Sequence, residues 1–324
     1  MLYPLKFTAI LKEKIWGGNK IKTILNKDFS PLPNCGESWE ISGIDNDSNK
    51  VSNGFLKGNT LSELVGVYMG DLVGEKVFDT YNEHFPLLIK FIDANSDLSV
   101  QVHPNDRLAA QLHGENGKTE MWYVLAADEQ AKINVGFTTP VNKEKLEHHI
   151  QSGTLEEILN YVPTKAGDVF YLPAGKVHAI GKGVLLAEIQ QTSDITYRLY
   201  DYNRKDKNGK LRPLHIEEAY QAIDYENNDN QPIRISPKKN KTQLLVRSPY
   251  FVTNLLFFDQ KVEKIYIETD SFVIYMCVEG EALIGYDGGE ETISKGECVL
   301  MPAVIEEAVF IPNKSCRLLE IYLP

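Results

Sequence analysis

The sequence predicts a mainly β protein made of two jelly-roll barrels, the first carrying helical additions. Three observations predict it. Short apolar runs separated by Gly and Pro turns recur along most of the chain, and in the last eighty residues they follow one another about every ten residues. Helical periodicity is confined to a few brief stretches. A G-x5-P frame also occurs twice, from Gly167 to Pro173 and from Gly296 to Pro302.

The first sixty residues read as short strands and turns, with Ile15-Trp16-Gly17-Gly18 and Gly36–Gly43 as punctuated islands. Thr60-Leu61-Ser62-Glu63 is a capping-box pattern, so a helix starts there and ends before Gly70 or Gly74. Phe85 to Ala94 is a buried-strand run interrupted by Lys90, and Leu98 to Val102 is the next strand. Asn105 to His113 reads as a short helix stopped by Gly114. Residues 140–160 form the main helical insertion, broken at Gly153, and strands return from Val162 to Gln191. A second helix is expected over Pro213–Ile223, with proline first and glutamates early.

Residues 227–241 are polar, hold two prolines and end in Lys238-Lys239-Asn240-Lys241, which marks a linker. Seven strands follow: Tyr250–Phe258, Lys264–Glu268, Phe272–Val278, Ala282–Tyr286, Glu291–Ile293, Glu297–Met301 and Cys316–Tyr322. The expected organisation is therefore a first domain at 1–226, a linker at 227–241 and a second β domain at 242–324.

Composition narrows the function classes. The chain has 324 residues, enough for about two domains at roughly 150 residues each. Lys and Arg total 34 against 45 Asp and Glu, a net charge of −11, which argues against a non-specific nucleic-acid binder. A local cationic cluster can still bind an anionic small molecule. Neither a signal-peptide pattern nor a bilayer-spanning apolar run occurs, so the expectation is a cytoplasmic protein with no membrane partner. Cys35, Cys277, Cys298 and Cys316 show no C-x-x-C spacing and read as buried thiols.

The chemistry-bearing residues sit in separate motifs. Gln101 and His103, two apart, leave the same face of a strand. Glu120 opens the strand-like run Glu120–Leu125 just after Lys118-Thr119, and His178 ends Pro173-Ala174-Gly175-Lys176-Val177-His178. One amide, two imidazoles and one carboxylate suit a divalent metal, with room for water or substrate. Lys90 in an apolar run either faces a polar cavity or lies at a strand edge, and the cavity is the preferred reading. Arg198 follows Asp194 by four residues, so it is either an ion-pair partner or a fixed cation for an anionic ligand. His84, His113, His148, His149 and His215 read as solvent-facing. In the second G-x5-P frame Val304 replaces the glycine and Glu307 the histidine, which suggests a duplicated barrel with one active copy.

The pattern G-x5-P-x-G-x2-H, from Gly167 to His178, resembles the second signature motif of the cupin superfamily, whose members are metal-binding jelly rolls. Further segments resemble the type I phosphomannose isomerases in their short bacterial form. These are Trp16-Gly17-Gly18, Gly36-Glu37-Ser38-Trp39-Glu40, Pro86–Lys90, Leu98–Pro104, Lys118-Thr119-Glu120, Pro173–Ala179 and Gln190–Asp201. The resemblance covers residues 16–201, and beyond about residue 225 it rests on fold pattern alone. It implies two cupin-like barrels and reversible interconversion of mannose 6-phosphate and fructose 6-phosphate. It further implies one Zn²⁺ per chain on Gln101, His103, Glu120 and His178, with Arg198 as the catalytic arginine. Lys118, Asp194, Lys90 and Trp16 are the expected substrate contacts. The large helical domain of longer family members is absent between the motifs. The expected partner is a small sugar phosphate, and the expected assembly a monomer or homodimer. Two other readings compete: an Fe(II) cupin dioxygenase and a non-catalytic sugar-binding cupin.

Overall fold

The structure, a computed structural model, describes residues 2–205, 208–227 and 229–324. Asn228 of the expected linker, and Met1, Asp206 and Lys207 of the expected first domain, lie outside the described residues. The chain opens with β1 (Ile10–Lys12), α1 (Lys20–Thr23), β2 (Glu37–Ile41), α2 (Leu61–Val73) and α3 (Glu75–Tyr81). It continues with β3 (Leu87–Ala94), β4 (Val100–Val102), α4 (Asp106–His113), β5 (Glu120–Ala127), β6 (Lys132–Phe137) and α5 (Lys143–Gln151). Next come β7 (Leu159–Pro163), β8 (Val169–Leu172), β9 (His178–Ile180), β10 (Val184–Gln191), β11 (Tyr197–Tyr200) and α6 (Ile216–Ala222). The last quarter has strands as its only regular elements among the described residues: β12 (Lys241–Arg247), β13 (Val252–Phe258), β14 (Val262–Ile265), β15 (Val273–Tyr286), β16 (Gly289–Ser294), β17 (Cys298–Met301) and β18 (Glu307–Tyr322).

These strands form three antiparallel sheets. The first runs β1-β2-β3-β10-β5-β8 and the second β11-β4-β9-β6-β7. The third runs β12-β13-β18-β15-β16, with β14 added on β18 and β17 on β15. Alternation of side chains across each sheet produces a layered molecule. Ile92, Trp122, Val124, Phe170 and Leu186 of the first sheet meet Ile133, Val135 and Ile180 of the second in one buried cluster. The opposite face of the first sheet, with Ile89, Phe91, Met121, Tyr123 and Ala187, packs on Leu255, Ile274, Met276, Leu319 and Ile321 of the third. The outer face of the second sheet, with Val100, Val102, Tyr197 and Leu199, is covered by Leu146 of α5 and by Ala219 and Tyr220 of α6. The two halves of the chain thus share a core rather than merely touching.

Several elements follow the sequence directly. Helix α2 starts at the Thr60 capping box, in which Thr60 and Glu63 satisfy each other's backbone amides, and it ends at Gly74. Helix α4 is capped by the Asn105 side chain and stopped by Gly114 in the left-handed conformation. Other boundaries differ for identifiable reasons. The two strands expected at 272–278 and 282–286 are one strand, β15, which carries a bulge at Gly280 (φ 80°) instead of a turn. The last strand begins at Glu307 rather than Cys316, because its first half pairs with β14 and β15. A strand at Lys241–Arg247 extends the third sheet where the sequence reading begins only at Tyr250. The 140–160 insertion is one helix and a 3-10 turn at Leu155–Glu157, after which β7 begins. Helix α6 begins at Ile216, not Pro213, because residues 213–215 are tied to β11. The His215 amide donates to the Arg198 carbonyl at 2.8 Å, and Arg198 Nη1 donates to the Pro213 carbonyl at 2.8 Å.

The repeated frame has a structural counterpart. Gly167 and Gly296 both have φ 89°, the left-handed turn that precedes β8 and β17. His178 opens β9 opposite Gln101, and Glu307 opens β18 opposite Ile265. Leu172 lies opposite Glu120, and Met301 opposite Val273. The positions of Gln101, His103, Glu120 and His178 therefore correspond to Ile265, Ile267, Val273 and Glu307.

Candidate metal centre and active site

Register places the candidate residues on the two facing sheets. In the second sheet Arg198, Gln101, His178 and Val135 lie side by side on β11, β4, β9 and β6, so their side chains share one face. That face looks toward the first sheet, where Trp39, Lys90, Glu188, Trp122 and Phe170 form one cross-strand row. Glu120 lies in the adjacent row, between Gln190 and Leu172. A sandwich interior that is apolar around Trp122 and Phe170 thus becomes polar at one end.

His103, Glu120 and His178 converge there. One ligand atom of each lies within 4.8 Å of the others, and all three residues are buried. His103 Nε2 is 3.5 Å from Glu120 Oε2, and His178 Nε2 is 3.3 Å from Glu120 Oε1. Each imidazole is oriented from behind. His103 Nδ1 lies 2.8 Å from the Ile195 carbonyl, and His178 Nδ1 lies 2.8 Å from the Lys176 carbonyl. A carbonyl can only accept, so both Nδ1 atoms carry the proton and both Nε2 lone pairs face Glu120. Burial, with the Lys118 ammonium nearby, holds the His103 pKa well below its ordinary value. Burial likewise brings His178 down to about 4, so both rings are neutral near pH 7.

Glu120 is the group least satisfied by protein. Neither carboxylate oxygen receives a well-formed hydrogen bond, although Lys118 Nζ stands 3.1 Å from Oε2. Burial dominates its proton affinity and raises its pKa to about 7 against the pull of Lys118. A buried carboxylate paired with the Lys118 ammonium through one oxygen, and facing two imidazole lone pairs, is a donor set that fits a divalent cation. Gln101 completes the rim. Its Nε2 is 3.3 Å from His178 Nε2 and its Oε1 is 3.5 Å from Ser99 Oγ. Half a turn of the amide exchanges the two atoms and aims the oxygen inward.

The remaining candidates separate. Lys118 belongs to the cluster, with Nζ also 3.2 Å from His103 Nε2. Lys90 faces the interior and not a strand edge, paired with Glu188 Oε2 at 3.0 Å. Burial disfavours its ammonium, yet Glu188 and Glu37 more than compensate and raise its pKa. Arg198 stands beside Gln101 in register, but its guanidinium reaches out to Pro213 and makes no ion pair with Asp194 among the described residues. Burial, then the neighbouring Arg212, lowers its pKa. Asp194 is exposed and lines a cavity of about 760 Å³ with His84, His113 and Glu115. Trp16 lies in the apolar core with Trp122 and Phe170.

Three residues escaped the sequence reading. Glu188 holds Lys90 and accepts from Trp122 Nε1 at 2.9 Å. Glu37 takes Trp39 Nε1 at 2.8 Å and Lys14 Nζ at 3.0 Å. His215, read as solvent-facing, accepts the Arg198 amide at 3.2 Å through Nδ1. Glu188 carried a usable signal, since it breaks the apolar run Val184–Ile189 just as Lys90 breaks its own.

Fold and site together define a layered β protein with a buried His/Glu centre between two sheets that could hold a metal ion. Comparison with known proteins adds the reaction. Residues 4–136 match the family described as phosphomannose isomerase type I, catalytic domain. A mannose-6-phosphate isomerase of Streptococcus mutans is 37% identical over 311 residues, 96% of each chain. The solved mannose 6-phosphate isomerase of Bacillus subtilis is 32% identical, with a TM-score of 0.86 over 99% of both chains. A mannose 6-phosphate isomerase solved with zinc and yttrium shares the fold at 18% identity, with a TM-score of 0.78. The chain belongs to the type I mannose-6-phosphate isomerase family, the aldose–ketose isomerases of that sugar phosphate.

Proposed function

We propose that this chain interconverts mannose 6-phosphate and fructose 6-phosphate by metal-dependent proton transfer through an enediol(ate). The observation that carries the reading is the convergence of two neutral imidazoles on one buried carboxylate, with the Lys118 ammonium beside it. Gln101, His103, Glu120 and His178 would hold one Zn²⁺ per chain, in keeping with the relative bound with zinc. Bound there, Zn²⁺ supplies Lewis acidity to the oxygens of C1 and C2.

The chain's own groups do the rest. Lys118 Nζ, between Glu120 Oε2 and His103 Nε2, adds a second positive charge on the side where a substrate oxygen turns negative. Lys90, locked by Glu188, fixes a cation deeper in the interior, with its ammonium 5.1 Å from the Trp39 ring centre. Arg198 rotates from Pro213 toward Gln101 to support ring opening or the enediolate, and Asp194 orients sugar hydroxyls from the 192–195 segment. Trp16 supports this wall from the core.

The fold reading that accompanies this is two cupin-like jelly rolls: residues 1–226 as the catalytic unit, 227–241 as linker and 242–324 as a degenerate second copy. Register supports the duplication, because Glu307 and Ile265 repeat the pairing of His178 and Gln101. A cytoplasmic monomer or homodimer fits the composition, and among the described residues no helix is long and apolar enough to cross a membrane.

The test is a coupled assay of mannose 6-phosphate turnover before and after chelation, with elemental analysis. Turnover lost with the metal and restored by zinc supports the reading. No turnover with zinc restored, or stoichiometric iron with oxygen consumption, rejects it.

A further inference from the structure

The segment that carries Lys118 and Glu120 is held by a chain of hydrogen bonds that begins in the other half of the molecule. Asp106, the first residue of α4, stands three residues after His103. Its Oδ1 accepts from the Gly117 amide at 2.9 Å and from Gln191 Nε2 at 3.0 Å. Gln191 Oε1 in turn accepts from the Thr119 amide at 2.8 Å, between the two site residues. Thr119 Oγ1 accepts from the Ala174 amide at 3.2 Å, on the turn that leads to His178. Gly117 lies so close to α4 that a Cβ there would stand 2.5 Å from the Asp106 nitrogen. One carboxylate therefore organises the segments bearing His103, Lys118, Glu120 and His178.

The remaining oxygen of that carboxylate, Asp106 Oδ2, is taken by Tyr250 Oη at 2.5 Å. Tyr250 belongs to the C-terminal half, on the turn between β12 and β13. That turn is rigid: Ser248 Oγ accepts from the amides of Tyr250 (3.2 Å) and Phe251 (3.0 Å), and Phe251 is fully buried in the shared core. The phenol is thus delivered from a fixed platform to a charged acceptor, the short, strong kind of hydrogen bond.

We propose that Tyr250 is a positioning residue for the isomerase reaction, acting through Asp106 and Gln191 on Lys118 and Glu120. The second β unit, whose ligand positions hold Ile265, Ile267 and Val273, then serves the active site of the first as its outer brace. The inference rests on the assignment of Lys118 and Glu120 to that site.

The experiment compares Tyr250→Phe, Gln191→Ala and the double variant, each metal-loaded, for kcat, KM, metal content and thermal unfolding. Misplacing a catalytic group by about 1 Å costs up to ~100-fold in rate, and the loss of one outer brace is expected to lower kcat about tenfold. KM for mannose 6-phosphate and metal stoichiometry stay near wild type, and the fold persists because the phenyl ring is kept. The double variant falls less than the product of the two single losses, since both act through Asp106, which also reaches Gly117 directly. A wild-type kcat for Tyr250→Phe, or multiplicative losses in the double variant, overturns the proposal. Glu120→Gln is the control for the underlying assignment: if it keeps metal and turnover, the site reading itself fails, whereas its inactivation beside an unaffected Tyr250→Phe overturns only the brace.

Discussion

Removing the Glu188 carboxylate is the sharpest test of how this interior is held together. Glu188 and Lys90 face each other at 3.0 Å, with side-chain exposures of 3% and 5%, so water screens the pair very little. At that separation the Coulomb attraction is about 5.5 kcal/mol for an effective dielectric constant of about 20. Most of it offsets the cost of taking both charges out of water, so the pair adds little net stability. Its rupture is another matter, because an unpartnered buried ammonium remains, and such ruptures cost about 3–5 kcal/mol. Glu37 also faces Lys90 and moderates the loss, which places Glu188→Gln near the lower end, at about 3 kcal/mol. The amide oxygen can still accept from Trp122 Nε1, so the change isolates the charge. Lys90→Met should cost a similar amount, and the double variant should recover at least ~2 kcal/mol relative to the sum of the two. Equilibrium urea unfolding of the metal-saturated protein at neutral pH reads all three. A loss below ~1 kcal/mol for Glu188→Gln, or additive losses, refutes the argument.

Other predictions concern the reaction, acid stability and the second copy. Arg198→Ala should lower turnover at least ~100-fold while metal content, read by elemental analysis, stays at the wild-type level; wild-type turnover removes Arg198 from the mechanism. Glu37 has its pKa brought to about 2, because Lys90 and Lys14 outweigh the opposing effect of burial, against 4.5 for the free side chain. A folded pKa below the unfolded one contributes stability that is present above pH 4.5 and lost as pH falls toward 2, up to roughly 3 kcal/mol. Urea midpoints measured down that range should fall less steeply for Glu37→Gln than for wild type, and parallel slopes contradict the assignment. Glu307→His restores the histidine of the second frame but not its partners, so metal stoichiometry should remain at the wild-type value; a second equivalent would show that the frame alone makes a site.

Much of the site was legible because its residues break local rules. His103 and His178 sit in Gly/Pro-framed motifs, Lys90 puts a charge in an apolar strand, and Gln101 and His103 share strand parity. Strand parity survives into the structure because a one-residue slip would turn every core side chain outward. What stayed hidden depends on pairing between distant segments. Nothing near Glu188 in sequence announces Lys90, ninety-eight residues earlier, and only the register of β3 on β10 brings them together. Trp16 shows the converse, a residue in a matching segment whose large apolar ring is buried in the core. The two C-terminal strands that merge into β15 were separated in the reading by Glu279-Gly280-Glu281, which looks like a turn and is a bulge. Glycine's positive φ serves either, and only the long partner β18 decides between them.

On the proposed duplication, the fate of the second copy follows from what each of its positions touches. Gly296 holds its turn against the Leu25 carbonyl, which would lie 2.8 Å from an added Cβ, and Leu300 pairs through its backbone with Leu5. The frame residues are therefore tied to the N-terminal segment of the chain, and changing them would loosen the core shared by both halves. Three of the four corresponding positions carry no such duty, whereas the fourth, Val273, is buried in the core of the third sheet. Ile265 and Ile267 are 73% and 71% exposed, and Glu307 is exposed as well. A substitution at these three exposed positions breaks no buried contact, so the turn can persist whatever side chains they carry. In the first copy the same positions are sealed between two sheets, where a buried carboxylate and two oriented imidazoles are costly unless they act together. A site enclosed in this way must be held from outside its own sheets, and the Tyr250–Asp106 contact is where the second half is placed to do so.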